Sequence, residues 1–513
     1  MTPTNFGKKP PVRFNMARYC IGRAAAAHPN KTALIIVSDA AASTVAAERW
    51  TYGALDESVR RISAGLLAEG LSPGDRLMIR LPNGVDYALV FFGAVAAGIV
   101  PVPTSPLLNK EEATFILENS GAAALAAHDA MALPGATLIL DEAALGRIKS
   151  AQALPGYSDT DAEDPAFLIY TSGTSRRPKG VLHAQRSAWG RRPIYDDWYG
   201  ISEEDVVLHA GVFNWSYTLG AGLTDPWANG ATAILYNGPR DVTVWPRILA
   251  ATGATLFAAV PSLYRQILKY CDLAAFDLSK LRHGLAAGEA LTPAILADWR
   301  RATGLEIYEA FGMSECSTFI STKPGTPIRP GSPGKPQRGR VIAILSPDGS
   351  DERMRIGETG LLAIHRSDPG LMLGYWSLPD EDAAVRRGDW FIGGDLANID
   401  ADGYVWHHGR ADDIMNAGGF RVSPLEVETA LADHPTVAEV AVTECRLRAD
   451  VMAITAFVVL RAGMKPDADA ILAHCAARLA AYKRPRQIVF IKTLPRSANG
   501  KLLRRALAAK PIG

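Results

Sequence analysis

Paired cysteines are missing from this chain. Its five cysteines (Cys20, Cys271, Cys316, Cys445, Cys475) are odd in number, scattered, and form no CxxC. That disfavours a disulfide framework or a zinc knuckle and fits a reducing compartment. A long apolar run is missing too. The most apolar stretch, YALVFFGAVAAGIVPV at 87–102, is short for a membrane span and contains Pro101. It reads as a buried helix leading into a strand. The opening MTPTNFGKKPPVRFN has no apolar core and does not read as a secretory signal, so the expected location is cytoplasmic. An excess of one charge sign is also absent. With 54 Lys and Arg against 53 Asp and Glu, the formal net charge of +1 gives no global reason to expect nucleic acid or an anionic membrane. Two nucleotide motifs are absent as well: no GxxxxGK[ST] occurs, and GAGLTD at 220–225 lacks the third glycine of a dinucleotide turn.

What is present is an ordinary globular composition, 48% hydrophobic and 21% charged over 513 residues, enough for two to four domains. Short apolar runs bounded by turn residues read as strands: 166–170, 206–212, 231–236, 254–260 and 283–288. Helical patterns opened by proline, PSLYRQILKY and PAILADWRRATG, lie between them. This β–α alternation predicts an α/β fold with largely parallel sheets covered by helices. After about residue 410 the pattern changes. PLEVETALADHP reads as a helix, VAEVAVTEC and VMAITAFVVL as strands, and ADAILAHCAARLAAY as one amphipathic helix. A large domain, 1–411, and a small α+β domain, 412–513, are therefore expected.

Four stretches carry chemistry. LIYTSGTSRRPKG at 168–180 is an apolar strand followed by small and hydroxylated residues and then cations, a composition that suits a polyphosphate as well as an ordinary surface loop. YEAFGMSEC at 308–316 puts Ser314 and Glu315 just past a strand end, a reasonable site for a magnesium ion carrying phosphates. Asp395 and Arg410, within 390–413, offer a carboxylate for paired hydroxyls and a charged donor near it. Lys501 sits on the glycine-containing turn of LPRSANGKLLRR. Taken singly, each also reads as a turn, a surface ion pair or a basic tail.

Together and in this order, YTSGTSRRPKG, AAGEAL, YEAFGMSE, GETG, GDWFIGGD, GRADDIMNAGGFRVSPLEVE and PRSANGK resemble the adenylate-forming superfamily over nearly the whole chain. Within it, the chain looks most like the medium-chain and benzoate CoA ligases of the acyl-CoA synthetase branch. The resemblance implies a large N-terminal domain, a small mobile C-terminal domain and a two-step ligation. A carboxylate attacks the α-phosphate of ATP, releasing pyrophosphate and leaving an acyl-adenylate, and CoA then displaces AMP. Such chemistry asks mainly for stabilised charge and an aligned carboxylate.

The resemblance also implies roles for particular residues. Thr171, Ser172, Gly173, Thr174 and Lys179 would cradle the β- and γ-phosphates. Gly288, Glu289 and Ala290 would edge the adenine pocket, and Glu309, Ala310, Phe311, Gly312, Met313 and Ser314 would contact adenine and the α-phosphate. Glu315 would hold Mg2+, and Asp395 and Arg410 the ribose. Lys501, Glu315 and Thr171 form the catalytic set, with Lys501 bridging carboxylate and α-phosphate. Asp412 would be the hinge of a rotation that withdraws Lys501 and brings in Gly418, Gly419 and Phe420, where absent Cβ atoms let the backbone approach the pantetheine arm.

One residue departs from the pattern: Arg176 stands where the family loop usually has glycine. Phe213, Asn214 and Trp215 fall in the segment that forms the acyl pocket in relatives and suit a compact apolar or aromatic acid, while Tyr217 reads as core packing. Acetate-specific relatives carry tryptophan where this chain has Gly312, which suggests an acid larger than acetate. The expected partners are a small carboxylic acid, ATP and CoA, without nucleic acid. A homodimer, and a lysine acetyltransferase acting on Lys501, are compatible with the reading. Two alternatives stay open: an aryl-acid adenylation enzyme loading a carrier protein, favoured by Asn214, and a non-catalytic protein on the same fold.

Overall fold

The computed structural model describes residues 9–40, 45–171, 178–239, 241–413, 415–417, 420–448, 451–496 and 502–508. The chain packs as two compact units, Met1–Val341 with Ile364–Phe391, and Ile342–Ala363 with Ile392–Gly513. The residues 342–363 and 392–411 thus pack with the C-terminal part, upstream of the 411/412 division expected from the sequence.

In the first unit the larger sheet has nine strands among the described residues. Its interior is parallel and runs Thr32–Asp39, Thr232–Tyr236, Val206–His209, Leu256–Ala259, His283–Ala287, Ile307–Met313 in space. Its edges are antiparallel: Ala46–Thr51 on one side, Ser317–Ser321 and Lys335–Pro336 on the other. A four-stranded parallel sheet (Val100–Pro103, Arg76–Arg80, Ala124–Ala127, Leu138–Leu140) lies in the same unit. So does an antiparallel trio of Gly374–Tyr375, Lys179–Ala184 and Pro165–Thr171.

The parallel strands are apolar along most of their length because helices cover both faces. The helices begin where their caps dictate. Thr292 accepts a hydrogen bond from the Ile295 amide ahead of Pro293–Thr303, and Gly304 closes that helix in the left-handed conformation. Residues 87–102 form a helix, Val85–Ala96, and a strand, Val100–Pro103, buried almost throughout as expected. Among the described residues no helix is long and apolar enough to cross a membrane.

In the second unit, Trp390–Ile399 pairs antiparallel with Val405–Arg410, placing Asp395 opposite Arg410. Val437–Arg448 and Val451–Leu460 form a long hairpin, and Gln487–Phe490 adds in parallel. The helices Pro424–Ala432 and Ala468–Ala476 complete this α+β arrangement. The second helix ends earlier than its amphipathic pattern suggests. The Arg484 guanidinium donates to the carbonyls of Ala476 and Leu479 at 2.9 and 2.8 Å, satisfying a helix end there.

Candidate active site

Ligands of open parallel sheets bind beyond the carboxyl ends of the strands. Here four neighbouring strands end at His209, Ala259, Ala287 and Met313. The residues just past or at those ends are the ones the sequence singled out: Phe213 to Trp215, Gly288 to Ala290, and Glu309 to Glu315. The strand expected over 206–212 stops at His209, which frees the following residues to line the sheet's end.

Gly288 has φ +90° and faces Trp215, whose Cη2 would lie 2.5 Å from a Cβ built there. Only glycine accommodates both the left-handed backbone and the indole. Trp215 meets Tyr217 edge-on at 5.5 Å. The Tyr217 ring is buried, its hydroxyl reaching the Ala259 carbonyl at 3.4 Å, so it is core packing, as its surroundings imply. Phe213 is buried beside Tyr87, and Asn214 is buried as well.

Glu289 accepts the Ser262 amide at 3.1 Å, and Glu309 the Leu291 amide at 3.0 Å. Burial pushes the Glu309 carboxyl up to about 8, so it carries a proton at neutral pH. Gly312 has a packing reason of its own. A Cβ there would collide with the backbone of Ser317 and Thr318 on the neighbouring strand, at a register shift. A tryptophan at 312 would therefore have to displace that strand before it could fill any acyl space.

Lys179 and Glu315 meet on Tyr375. The Tyr375 hydroxyl donates to Glu315 Oε1 at 2.8 Å, and the Lys179 ammonium lies 5.3 Å from the Tyr375 ring centroid while pairing with Glu381 at 2.6 Å. Thr171 and Lys179 are register partners across the hairpin that carries the phosphate-like loop. The turn bearing Glu315 is held on every side. His183 Nε2 donates to the Ser314 carbonyl at 2.8 Å, the Met372 amide to the Glu315 carbonyl at 2.7 Å, and Arg191 to Ser317 Oγ. Arg340 donates to the Thr318 and Gly190 carbonyls at 3.1 and 2.9 Å and pairs with Asp368 at 2.8 Å. Ser317 sits at φ +66°, a strained conformation that such a web can sustain.

None of His183, Arg191, Arg340, Asp368 or Tyr375 was found from the sequence. His183 alone had a signal, since strand alternation puts it on the face of Lys179. Burial pushes its imidazole down to about 4, so it is neutral.

In the second unit, Asp395 is buried and accepts from His407 Nε2 at 2.9 Å, with Arg410 Nη1 at 3.5 Å. Arg410 also donates to the Gly393 carbonyl and, at 3.1 Å, to Asp412. Asp395 thus has both His407 and Arg410 as neighbours in the same hairpin. Phe420 is described in its backbone only, in strand Phe420–Val422. Ser172, Gly173, Thr174, Arg176, Gly418, Gly419 and Lys501 lie outside the described residues.

No group of three or more His, Cys, Asp or Glu side chains that could hold a metal occurs among the described residues.

Comparison with known proteins agrees with this geometry. The AMP-binding enzyme family matches residues 21–376, and the AMP-binding enzyme C-terminal domain matches 426–501. The mitochondrial acyl-coenzyme A synthetase ACSM5 of Homo sapiens is 31% identical over 502 residues, covering 91% of this chain and 85% of that protein. The crystal structure of a benzoate CoA ligase from Burkholderia xenovorans LB400 superposes with a TM-score of 0.87 at 30% identity, covering 96% of this chain and 100% of that one. The anthranilate CoA ligase AuaEII, solved with anthranoyl-AMP, gives 0.88 at 29% identity, covering 97% and 98%. With the strand-end site and both domain matches in place, the chain belongs to the AMP-binding enzymes, in the acyl-CoA synthetase branch of the adenylate-forming superfamily, which use ATP to join a carboxylic acid to CoA through an acyl-adenylate.

Proposed function

We propose that the chain activates a small-to-medium carboxylic acid, aromatic, alicyclic or medium-chain, as its adenylate and transfers the acyl group to CoA. The observation that carries this reading is the convergence of Lys179, Tyr375 and Glu315 in the unit whose strand ends also present Gly288 and Trp215. The similarity to benzoate and anthranilate ligases supports an aromatic acid among the substrates. Glu315 would hold Mg2+, which supplies positive charge to the phosphates when bound. Lys179 would exchange Glu381 for a phosphate oxygen. Trp215 and Gly288 would shape the apolar wall against which the acid lies. Asp395, oriented by His407, would accept from the ribose hydroxyls, with Arg410 beside it.

Thr171 and Ser172 to Thr174 would bind the outer phosphates, and Lys501 would neutralise the attacking carboxylate and the α-phosphate. Rotation at Asp412 would bring Gly418 and Gly419 to the thioester-forming arrangement. Acetylation of Lys501 would block the first step by removing its charge. A cytoplasmic, homodimeric enzyme suits this role.

The test is to run both half-reactions on Lys501→Ala. Acyl-adenylate formation from ATP should be almost abolished, while thioester formation from supplied acyl-adenylate and CoA persists. Equal loss in both steps would refute the alternation.

A further inference from the structure

Lys179 already has a counter-ion. Its ammonium pairs with the Glu381 carboxylate at 2.6 Å, and no other carboxylate pairs with it among the described residues. The Lys179 side chain is only 13% exposed, so an unpaired ammonium there would lose most of its hydration without compensation. Glu381 removes that cost. Its own side chain is 43% exposed, on the short helix Pro379–Ala384, and can turn out into water without disturbing the core.

The segment that carries Glu381 is tied to the hairpin that carries Lys179. Strand Gly374–Tyr375 pairs with Val181 and Leu182, and the Trp376 amide donates to the Gly180 carbonyl at 2.8 Å. Within the helix, Asp382 has a cation of its own, Arg386 at 3.0 Å, whereas Glu381 pairs with Lys179. A phosphate oxygen bound to the same ammonium could lie no more than about 5.5 Å from Glu381, since both acceptors sit within hydrogen-bond distance of one nitrogen. Glu381 therefore opposes any anion that Lys179 receives, first by occupying the ammonium and then by like-charge repulsion. Glu315 is near as well, since its Oε1 accepts the Tyr375 hydroxyl and the Tyr375 ring centroid lies 5.3 Å from the Lys179 nitrogen. Glu315, however, has the magnesium ion of the proposed complex to offset it. Glu381 has only Lys179.

We propose that Glu381 is a displaceable counter-ion of Lys179 that weakens the hold of the site on the outer phosphates, opposing ATP and pyrophosphate alike and easing the departure of pyrophosphate once the adenylate has formed. AMP and the acyl-adenylate carry no phosphate beyond the α position and escape the competition. This rests on the reading of Lys179 as a ligand of the outer phosphates and adds what sets their affinity.

The experiment measures dissociation constants by calorimetry for ATP, pyrophosphate and AMP, each with Mg2+ and without a carboxylic acid. The proteins are the unaltered chain, Glu381→Gln, Lys179→Met and the double variant. A partly exposed ion pair shifts an equilibrium by roughly two- to fivefold. Glu381→Gln should therefore bind ATP and pyrophosphate at least about twofold more tightly, with AMP unmoved. Pyrophosphate should become a correspondingly stronger product inhibitor. Lys179→Met should weaken both ligands, and in that background most of the gain from Glu381→Gln should disappear. Unchanged or weaker binding of ATP and pyrophosphate by Glu381→Gln overturns the proposal, because Glu381 would then support Lys179 rather than compete for it. An equal gain for AMP, the mark of a general change in the site, overturns it too, as does a gain that survives in full without Lys179. Unaltered affinity for ATP and pyrophosphate in Lys179→Met would instead overturn the phosphate reading of Lys179, and the proposal with it.

Discussion

Replacing Arg340 by methionine should destabilise the first unit and loosen the turn that carries Glu315. Arg340 and Asp368 are 2% and 3% exposed, so the substitution leaves a carboxylate with almost no water to solvate it. The pair is joined at 2.8 Å to both carboxylate oxygens, and the same guanidinium serves the Gly190 and Thr318 carbonyls and Gln337 Oε1. Removing one partner of such a buried pair costs about 3–5 kcal/mol, a large part of the roughly 5–15 kcal/mol by which a domain is stable. Asp368 would still accept the Gly370 amide at 2.8 Å, which an asparagine at 368 can also do. The double variant Arg340→Met/Asp368→Asn removes the stranded charge and should recover about 2 kcal/mol or more of the loss. Urea unfolding followed by tryptophan fluorescence reads both numbers, and pyrophosphate release reads the turn. A single-variant loss below about 1 kcal/mol, or a double variant no more stable than the single, would refute the claim that this ion pair holds the turn.

Two further predictions rest on the strand ends. Glu309 has its carboxyl raised from 4.5 to about 8, so between those values the folded chain binds the proton more tightly than the unfolded chain. Its contribution to stability therefore falls as pH rises through that window, and Glu309→Gln should flatten the slope of the thermal midpoint between pH 5 and 8; an unchanged slope would refute the buried proton. Gly288→Ala forces a Cβ into a φ +90° backbone and against Trp215, so the indole must move. The strain of about 1–2 kcal/mol should appear as lost thermal stability, and the displaced indole as a several-fold or greater loss in kcat/KM for the acid and a shifted tryptophan emission. An unchanged kcat/KM would remove Trp215 from the acid's wall.

Much of the architecture was legible because local signals agree with the fold. Proline and threonine mark the start of Pro293–Thr303, glycine marks its end, and the apolar run at 87–102 separates into helix and strand where Gly98 turns the chain. Asp395 and Arg410 stand out in the sequence as residues of motifs, while their lying opposite each other across two strands emerges only from the register. The clamp around Glu315 was not. Arg191, Arg340 and Asp368 come from distant parts of the chain and become partners only when the antiparallel strand Ser317–Ser321 folds back beside Ile307–Met313. Nothing local tells a buried arginine from a surface one. Gly312 has a packing constraint that the sequence does not display: the backbone atoms of Ser317 and Thr318 leave no room for a Cβ there.

The central claim, acid–CoA ligation through an adenylate, is tested most directly by stopping the reaction halfway. The protein is incubated with ATP, Mg2+ and benzoate or hydroxybenzoate without CoA, the bound product is identified by mass, and CoA is then added. The account predicts enzyme-bound acyl-AMP and one equivalent of pyrophosphate before the addition, then acyl-CoA and AMP after it. Acyl-AMP that forms but persists in CoA and is discharged only by a carrier-protein thiol would contradict it.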